Sequence, residues 1–478
     1  MEQASQLPLQ TLVVDLDGTV LRTDMLHESF WSGFARDWSV PFRALGAFIR
    51  GKAAFKRLLA ERSDVDIATL PYDETVLQRL RDWRAQGGRT ALVTATDQRL
   101  ANRIAEHLGL FDLVIGSDGT CNLKGPTKAE RLVSEFGAGN FIYMGDHPAD
   151  LPVWQVAGGA ITVNAKPALQ ARVACNGPIE HLAPYTRDLR PYAKAIRPHQ
   201  WLKNLLIFLP MLAAHELNVG VFFLACVAFV SFSLIASSVY VLNDLLDLKG
   251  DRAHPRKRLR PFAAGTIPIA RGTVMAASLL IAGLIPAILL GPNFLVIMLA
   301  YYVLTMAYSL WLKRHLVIDI FALAGLYTLR ILAGGTSASI PMSVWLLAFS
   351  IFFFFSLAAV KRQAELVDSR NSGKLKAHGR GYHVEDVPIV TMMALASGYI
   401  SVLVMALYIS APHVLEMYPQ PGFLWGACLV LLYWISRMVM TTHRGQMNDD
   451  PVLYAAKDRV SLICFGLIFA LGVAGTLL

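Results

Sequence analysis

The chain has 478 residues, of which 54% are hydrophobic and 17% charged, with a formal charge of +9 and a mean hydropathy of +0.44. This composition excludes a soluble protein along the whole length, and the five cysteines show no spacing typical of a disulfide framework or a zinc site. Polar and apolar residues alternate up to about residue 193, and apolar runs of nearly spanning length follow. We therefore expect a soluble domain followed by a membrane domain.

The first motif of the soluble part is an apolar run that leads into an acidic turn, T-L-V-V-D-L-D-G-T-V at residues 11–20. A carboxylate at a strand end, beside a glycine that lets the backbone approach a phosphate, is suited to in-line attack. The carboxyl two residues later can hand a proton to the leaving oxygen. The motif resembles that of the haloacid dehalogenase-like phosphatases, which implies that Asp15 is the nucleophile and Asp17 the general acid/base.

Three later segments resemble the same family, in the same order, over about residues 8–180. The resemblance implies that Thr94 holds the phosphoryl group and that Lys128 neutralises its charge, with Lys124 as the alternative. In the segment G-D-x-x-x-D, the second carboxylate, Asp150, would have a supporting role. The implied Mg²⁺ site consists of Asp15, Asp17 and Asp146. The expected fold is α/β and Rossmann-like.

A helical and basic stretch at about 23–80 would form a cap over this site. Its aromatic side chains allow two interpretations: a small core of the cap itself, or a face that meets lipid and admits a lipid-linked phosphate. The aromatic residues are Phe30, Trp31, Phe34, Trp38, Phe42, Phe48 and Phe55.

The second part of the chain predicts an all-α bundle of about nine membrane-spanning helices. A first span ends near residue 213, and the others are expected at about 221–242, 273–291, 293–312, 317–334, 342–360, 388–411, 422–440 and 460–478. Alternate loops contain no Lys or Arg, which places the basic loops and the N-terminus in the cytoplasm. No signal peptide is apparent, and the basic charge follows this topology, so we expect no nucleic-acid partner.

An acidic cluster follows the second span, N-D-L-L-D-L-K-G-D-R at residues 243–252. If the helix continues, Asp244, Asp247 and Asp251 lie on one face, and we call these three residues the Asp row. Like charges at this spacing repel, and Mg²⁺ shared with a diphosphate is the usual counter-charge. The alternative is a solvated acidic helix end that marks the membrane boundary.

About nine spans, with the motif N-D-x-x-D-x-x-x-D directly after the second span, resemble the UbiA-type intramembrane prenyltransferases. The resemblance covers about residues 193–478. The resemblance implies that Asn243 and the Asp row bind Mg²⁺ and diphosphate, while Lys313 helps to neutralise the diphosphate. Tyr308 would be a wall or hydrogen-bond partner of the substrate, or alternatively an interfacial aromatic residue. We also assign Arg252, which begins a basic run, to substrate binding.

One departure from the family pattern indicates the substrate. After the sixth span, where the family has a second acidic motif, this chain has Lys361 and Arg362, which suit a phosphate directly. This pattern resembles the decaprenyl-phosphate phosphoribosyltransferase branch. Lys203 and Asn204 are expected to hold the acceptor phosphate, or alternatively to anchor the helix end at the interface. For Arg330, deep in its span, we favour an extension to the outer end, and the alternative is a buried partner or an aqueous lining.

The resulting hypothesis is a bifunctional enzyme of the inner (plasma) membrane, with both sites facing the cytoplasm. A membrane domain at 194–478 would transfer phosphoribosyl from phosphoribosyl diphosphate to a polyprenyl phosphate. A phosphatase domain at 1–183, joined through a linker at 184–193, would remove the 5-phosphate. Two alternatives remain: an aromatic prenyltransferase using an isoprenyl diphosphate, and a lipid-binding or transport scaffold with an unrelated phosphatase. The sequence does not indicate an oligomeric state.

Overall fold

The computed structural model describes residues 10–49, 51–118, 122–182, 188–373, 380–411, 414, 418–447 and 450–477. The expected domain boundary at 183/184 and the first part of the linker lie outside these residues. The chain divides into two compact units, and the division does not follow the sequence order. The first unit comprises Met1–Ile196 and Tyr240–Ala276, and the second comprises Arg197–Val239 and Ala277–Leu478.

A six-stranded parallel sheet forms the centre of the first unit, with the strand order β3-β2-β1-β4-β5-β6. The strands are β1 (Thr11–Val14), β2 (Thr90–Asp97), β3 (Leu113–Ser117), β4 (Phe141–Gly145), β5 (Gly159–Val163) and β6 (Ile179–Leu182). Strands β1 and β4 are buried almost throughout because helices cover both faces, as in other parallel sheets. The carboxyl ends of β1, β2 and β4 therefore lie side by side at one edge.

Among the described residues up to 196, nine α-helices accompany the sheet. They are α1 (Met25–Arg36), α2 (Val40–Ile49), α3 (Lys52–Arg62), α4 (Glu74–Ala85), α5 (Gln98–Leu108), α6 (Pro126–Phe136), α7 (Leu151–Val156), α8 (Pro167–Gln170) and α9 (Arg190–Ile196). The cap consists of α1 to α3 and is shorter than expected, because α4 belongs to the sheet layer. In α4, Val76 and Leu80 are fully buried in the same apolar cluster as Leu12 of β1.

The cap has a small core of its own, formed by Val40, Ala44 and Leu59 with Phe30 and Phe55 packed against them. Asp24 is the N-cap residue of helix α1, and its carboxylate accepts hydrogen bonds from the backbone N–H groups of Leu26 and His27. Of the two interpretations of the aromatic stretch, the structure confirms the cap core for some of these residues. Others remain outside it and are exposed.

Eight helices are long and apolar enough to cross a membrane in the part of the chain that is described. These eight are α11 (Val219–Leu246), α13 (Ile269–Leu289), α14 (Pro292–Leu310), α15 (Ile318–Ser337), α16 (Val344–Asn371), α17 (Val387–Ile409), α18 (Gly422–His443) and α20 (Arg459–Leu477). Two short helices, α10 (Leu209–Ala213) and α12 (Leu248–Ala253), lie before and after α11. Helix α19 (Pro451–Ala455) precedes the last span.

The first expected span is not one continuous helix. A 3₁₀-helix at Pro198–Phe208 precedes α10, and each of these two pieces has a proline in its first turn. Proline lacks an N–H donor and clashes with the preceding turn, so it favours a new helix start over the continuation of an old one. The segment therefore contributes two short pieces where the sequence predicts a single span.

Candidate active sites

The first candidate site lies at the carboxyl edge of the sheet, where Asp15 follows β1. Its Oδ1 atom accepts hydrogen bonds from the backbone N–H of Leu16 and from Nζ of Lys128, both at 2.9 Å. Lys128 is buried and also lies 2.9 Å from the hydroxyl of Tyr143. Burial lowers the pKa of Lys128, but the carboxylates of Asp15 and Asp150 outweigh it and raise that pKa overall. The lysine therefore stays cationic beside the expected nucleophile.

Three carboxylates could hold a metal ion here, because oxygen atoms of Asp15, Asp146 and Asp150 lie within 4.8 Å of one another. Burial, and then the charge of Asp15, raises the pKa of Asp146 well above its usual value and that of Asp150 to about 6. The carboxylates thus repel one another in a dry site, which a divalent cation with oxygen ligands would relieve. The donor set fits Mg²⁺.

Asp17 lies outside that trio, although the sequence places it among the metal ligands. Its Oδ1 accepts a hydrogen bond from the backbone N–H of Met25 at 2.8 Å, and its Oδ2 accepts one from the hydroxyl of Thr96 at 2.7 Å. Burial and the charges of Asp24 and Asp15 raise the pKa of Asp17 to about 7. A carboxyl that titrates near neutrality suits the role of an acid/base.

The other residues expected at this site lie at the same sheet edge. Thr94 is fully buried, and its hydroxyl accepts a hydrogen bond from the backbone N–H of Thr96 at 3.0 Å. Gly18 has φ +79°, and a Cβ there would lie 2.3 Å from an oxygen of Asp146, so only glycine fits this turn. Lys124 is exposed at the rim of the cleft. Lys128, not Lys124, contacts Asp15.

The cleft above these carboxylates has a volume of about 500 Å³ and includes residues that the sequence motifs did not indicate. Lys56 of α3 lines the cleft and donates to the carbonyl of Ala95 at 2.7 Å and to Oδ1 of Asn122 at 2.8 Å. Pro268 and Ala270, near the start of the membrane-spanning α13, also line it. No spacing rule marks these residues, because the folding of distant segments brings them here.

The second candidate site is the Asp row. Asn243 and Asp244 lie in the last turn of α11, and the helix is interrupted at Asp247, which caps α12. Backbone bonds from Asp247 N to Asn243 O and from Asp251 N to Asp247 O preserve the helical spacing, at 2.9 and 2.8 Å. Arg260 donates to Asp244 at 3.1 Å and to Asp251 at 2.6 Å. These two carboxylates therefore face one point, whereas Asp247, the third residue of the row, is exposed where the helix is interrupted.

Asn243 supports a ligand at the same place. Its Oδ1 atom is buried and has no hydrogen-bond partner among the described residues. A buried amide oxygen without a partner is costly, and it becomes satisfied if it coordinates a cation. Asn243, Asp244 and Asp251 offer oxygen ligands, the kind that Mg²⁺ prefers.

Arg252, expected to bind substrate, has another role in the structure. Its guanidinium group donates to both carboxylate oxygens of Glu28, at 2.6 and 3.1 Å, and to the carbonyl of Ala263 at 3.1 Å. The side chains of Arg252 and Glu28 are only 5% and 3% exposed. This buried pair engages Arg252 with the cap helix α1, so we assign it to an ion pair and not to the substrate.

In the second unit, the cationic residues after the sixth expected span have different environments. Arg362 is completely buried and forms ion pairs with Asp319, at 2.5 Å, and with Glu365. The ring of Tyr382 lies 5.5 Å from its guanidinium carbon. Lys361 is half-buried and forms no ion pair with any residue that the structure describes. Of the expected pair, Arg362 is thus the one that is ion-paired in the described part of the chain.

Arg380 joins this cluster and was not among the expected site residues. It donates to the hydroxyl of Tyr308 at 2.9 Å and forms an ion pair with Glu365 at 2.9 Å. Tyr308 therefore has an arginine partner and is not only an interfacial aromatic residue. Lys313 lies in the 3₁₀ turn Leu312–Arg314 that follows α14, and it is half-buried.

Lys203 and Asn204 lie in the interior of the second unit. Lys203 is ion-paired with Asp450 and is 8% exposed as a residue. Asn204 donates to Ser233 at 2.9 Å and accepts from Nε of Arg330 at 3.0 Å. The expected snorkelling of Arg330 is wrong, since this residue is 5% exposed. Three aromatic rings surround its guanidinium carbon at 5.2 to 5.4 Å, those of Phe232, Tyr301 and Tyr327.

An apolar cavity of about 410 Å³ lies beside Lys203. Leucine and phenylalanine side chains of the first short helices, of α16 and of α20 form most of its walls. Such a cavity suits a hydrocarbon chain, and its single charged wall residue is Lys203.

Comparisons with known proteins identify one family in each half of the sequence. The model of the UbiA prenyltransferase family matches residues 205–457, and that of the haloacid dehalogenase-like hydrolases matches residues 12–155. Protein y4nM of Sinorhizobium fredii is 36% identical over 466 residues, which cover 96% of this chain and 89% of that protein. Both resemblances stated from the sequence are confirmed, as is the expected fold class.

Two further relatives match more than half of this chain. Nodulation protein NoeC of Azorhizobium caulinodans is 41% identical over 287 residues, or 58% of this chain and 92% of that protein. The decaprenyl-phosphate phosphoribosyltransferase of Mycolicibacterium smegmatis is 33% identical over 279 residues, or 57% of this chain and 88% of that protein. The chain therefore belongs to the UbiA prenyltransferase family, as an integral membrane enzyme whose transferase domain follows a haloacid dehalogenase-like hydrolase domain.

Proposed function

We propose that the membrane domain transfers a phosphoribosyl group from phosphoribosyl diphosphate to a polyprenyl phosphate, and that the hydrolase domain removes the 5-phosphate from the product. The name of the mycobacterial relative supports the first reaction, and the acidic cleft at the sheet edge supports the second. We place both sites on the cytoplasmic face of the inner (plasma) membrane, because the Lys- and Arg-rich loops belong on that side.

The donor would bind at the Asp row. Asn243 and the three carboxylates would hold Mg²⁺, which supplies positive charge to the leaving diphosphate. Arg260, which already contacts Asp244 and Asp251, can move to the diphosphate when the metal neutralises these carboxylates. Lys313 would complete the neutralisation of the leaving group.

The acceptor would bind in the second unit. Its polyprenyl chain fits the apolar cavity beside Lys203, and Lys361 offers a cationic group for its phosphate. The phosphate oxygen of the lipid can attack the anomeric carbon itself, so no strong protein base is required. Arg362 would then have a positioning role, because its ion pair with Asp319 joins α16, which carries Lys361, to α15.

Hydrolysis would proceed by a phospho-aspartyl mechanism. Asp15 attacks the phosphorus atom while Asp17 gives a proton to the leaving ribose oxygen, and Lys128 and Thr94 stabilise the phosphoryl oxygens. Asp17, deprotonated by then, takes a proton from the water that hydrolyses the acyl phosphate. Its raised pKa allows both protonation states near neutral pH.

One observation supports the coupling of the two reactions. Pro268 and Ala270, which follow the Asp row in the chain, line the phosphatase cleft within one compact unit. A lipid released at the Asp row would therefore be released from the same compact unit as the cleft, and tethering raises its effective concentration there.

The test is an assay with phosphoribosyl diphosphate, radiolabelled in the ribose, in membranes that contain the full chain, followed by lipid extraction. Asp15→Asn should accumulate the 5-phosphorylated lipid, and Asp244→Ala should abolish both lipid products. Asp82→Asn and Asp368→Ala change exposed carboxylates and serve as controls. An unchanged product profile for Asp15→Asn would refute the coupling. Transfer from an isoprenyl diphosphate to an aromatic acceptor, or no transfer at all, would instead support the prenyltransferase or scaffold alternatives.

A further inference from the structure

Helix α2 of the cap presents an unusual surface. Val40, Ala44 and Ala47 are buried against the neighbouring cap helices. The opposite side is apolar as well, where a soluble helix would be polar. Five large side chains there are 54–81% exposed: Trp38, just before the helix, and Phe42, Leu45, Phe48 and Ile49. We call these five residues the α2 patch.

The position of the cap within the first unit indicates what covers the α2 patch. The indole N–H of Trp31, in α1, donates to the hydroxyl of Thr273 at 3.1 Å, and Thr273 lies in the first turns of α13. Residues Leu245 and Leu246, at the end of α11, line a pocket together with Glu28 of α1. Both α11 and α13 are candidate membrane spans. The cap is therefore held where two spans leave the bilayer.

The charges around the α2 patch are those of an interfacial helix. No Asp or Glu occurs between residues 38 and 49, and Arg43 is exposed among the apolar side chains. The carboxylate of Asp37, which directly precedes the patch in the sequence, lies 3.6 Å from the guanidinium group of Arg62 and is thereby partly neutralised. Trp and Phe on one face with an arginine nearby are typical of helices that lie in the headgroup region. An apolar patch of this size that stayed exposed to water would favour aggregation.

We propose that the α2 patch inserts into the bilayer surface from which α11 and α13 emerge, with Arg43 at the phosphate level. This docking does not depend on the reactions proposed above. It holds the mouth of the phosphatase cleft at the membrane, since Leu26 and Ser29 of α1 line that cleft and α1 packs on α2. The class of substrate that benefits is a phosphate monoester carried by a lipid, which reaches the cleft without leaving the bilayer.

The experiment measures the environment of Trp38 in the full chain, reconstituted in nanodiscs of phosphatidylcholine and phosphatidylglycerol. Nanodiscs with acyl chains brominated near the headgroup quench tryptophans that touch them. The difference between the wild type and Trp38→Phe isolates the emission of Trp38. We expect the brominated lipids to remove about half or more of this emission, and aqueous iodide to remove little.

Two variants sharpen the result. Phe42→Ser with Phe48→Ser should withdraw the helix, so that Trp38 loses its quenching by brominated lipid and becomes accessible to iodide. Ile179→Ser changes an exposed hydrophobic residue on β6 and should leave Trp38 quenched. Quenching of Trp38 by iodide alone in the wild type would overturn the proposal in favour of a solvated patch. Quenching by neither agent would overturn it in favour of a protein partner, such as a second copy of the chain.

Discussion

Arg252 and Glu28 form a buried ion pair with two hydrogen bonds, at 2.6 and 3.1 Å, across 224 positions of sequence. One residue lies directly after the Asp row, and the other lies in the first helix of the phosphatase cap. Because both side chains are almost inaccessible to water, the loss of one partner leaves the other charge buried and uncompensated. The pair thus joins the segment that carries one candidate site to the cap of the other.

Glu28→Gln should therefore destabilise the first unit, by about 3–5 kcal/mol. The measurement is the apparent Tm of the purified full chain in detergent. Asp64→Asn removes the partner of Lys249 in a pair whose two side chains are 63% and 57% exposed, and it should cost less than about 1 kcal/mol. Equal shifts in Tm for the two variants would contradict the assignment. Glu28→Gln with Arg252→Met, which removes both charges, should recover part of the loss.

The two lysines near Asp15 should have unequal effects on hydrolysis. Lys128→Met removes the cation 2.9 Å from Asp15, and we expect kcat for p-nitrophenyl phosphate to fall on the order of a hundredfold or more. Lys124→Met changes an exposed residue at the rim, and kcat should stay within about threefold of the wild type. The reverse order of effects would transfer the neutralising role to Lys124. A radiolabelled transfer assay on the same preparations controls for folding of the membrane domain.

Lys56 should act in substrate binding. Its ammonium group is held by the carbonyl of Ala95 and the side chain of Asn122 at the wall of the cleft, so it can meet the distal part of a bound anion. Lys56→Met should raise KM for an anionic phosphate ester about tenfold, with a smaller effect on kcat. Arg57→Met, an exposed neighbour on the same helix, is the matched control. A fall in kcat with constant KM would instead place Lys56 at the reacting phosphate.

Lys361 and Arg362 are adjacent in sequence, but we expect a substitution of Lys361 to affect activity and one of Arg362 to affect stability. Arg362→Gln removes the ion pair at 2.5 Å from the fully buried Asp319, leaves only Arg380 at 3.9 Å and should lower the stability by about 3–5 kcal/mol. Lys361→Gln removes a cation that has no ion pair within the described part of the chain, so the apparent Tm should change little. The rate of transfer at low acceptor concentration should fall about tenfold. A variant at Lys361 with full transfer activity would exclude this residue from the acceptor site.

The sequence alone was sufficient for features that depend on local geometry. Parallel strands end at one edge of a sheet, so the motifs that contain Asp15, Thr94 and Asp146 could be assigned to one cleft from their positions at strand ends. Helical spacing predicted one face for all three residues of the Asp row, and in the folded chain Arg260 bridges Asp244 and Asp251, while Asp247 is exposed. The spans could be counted from hydropathy, with one exception, where prolines divide the first of them.

Only the tertiary structure decided which charged side chains form ion pairs within the protein. Arg252 and Arg362 look like substrate-binding cations in the sequence, yet Glu28 and Asp319 engage them. Arg330 was expected at the outer end of its span and lies instead among aromatic rings. The physical reason is that the partner of a buried charge is chosen by folding over distances of tens to hundreds of residues. Periodicity and spacing report only the geometry of neighbours along one helix or strand.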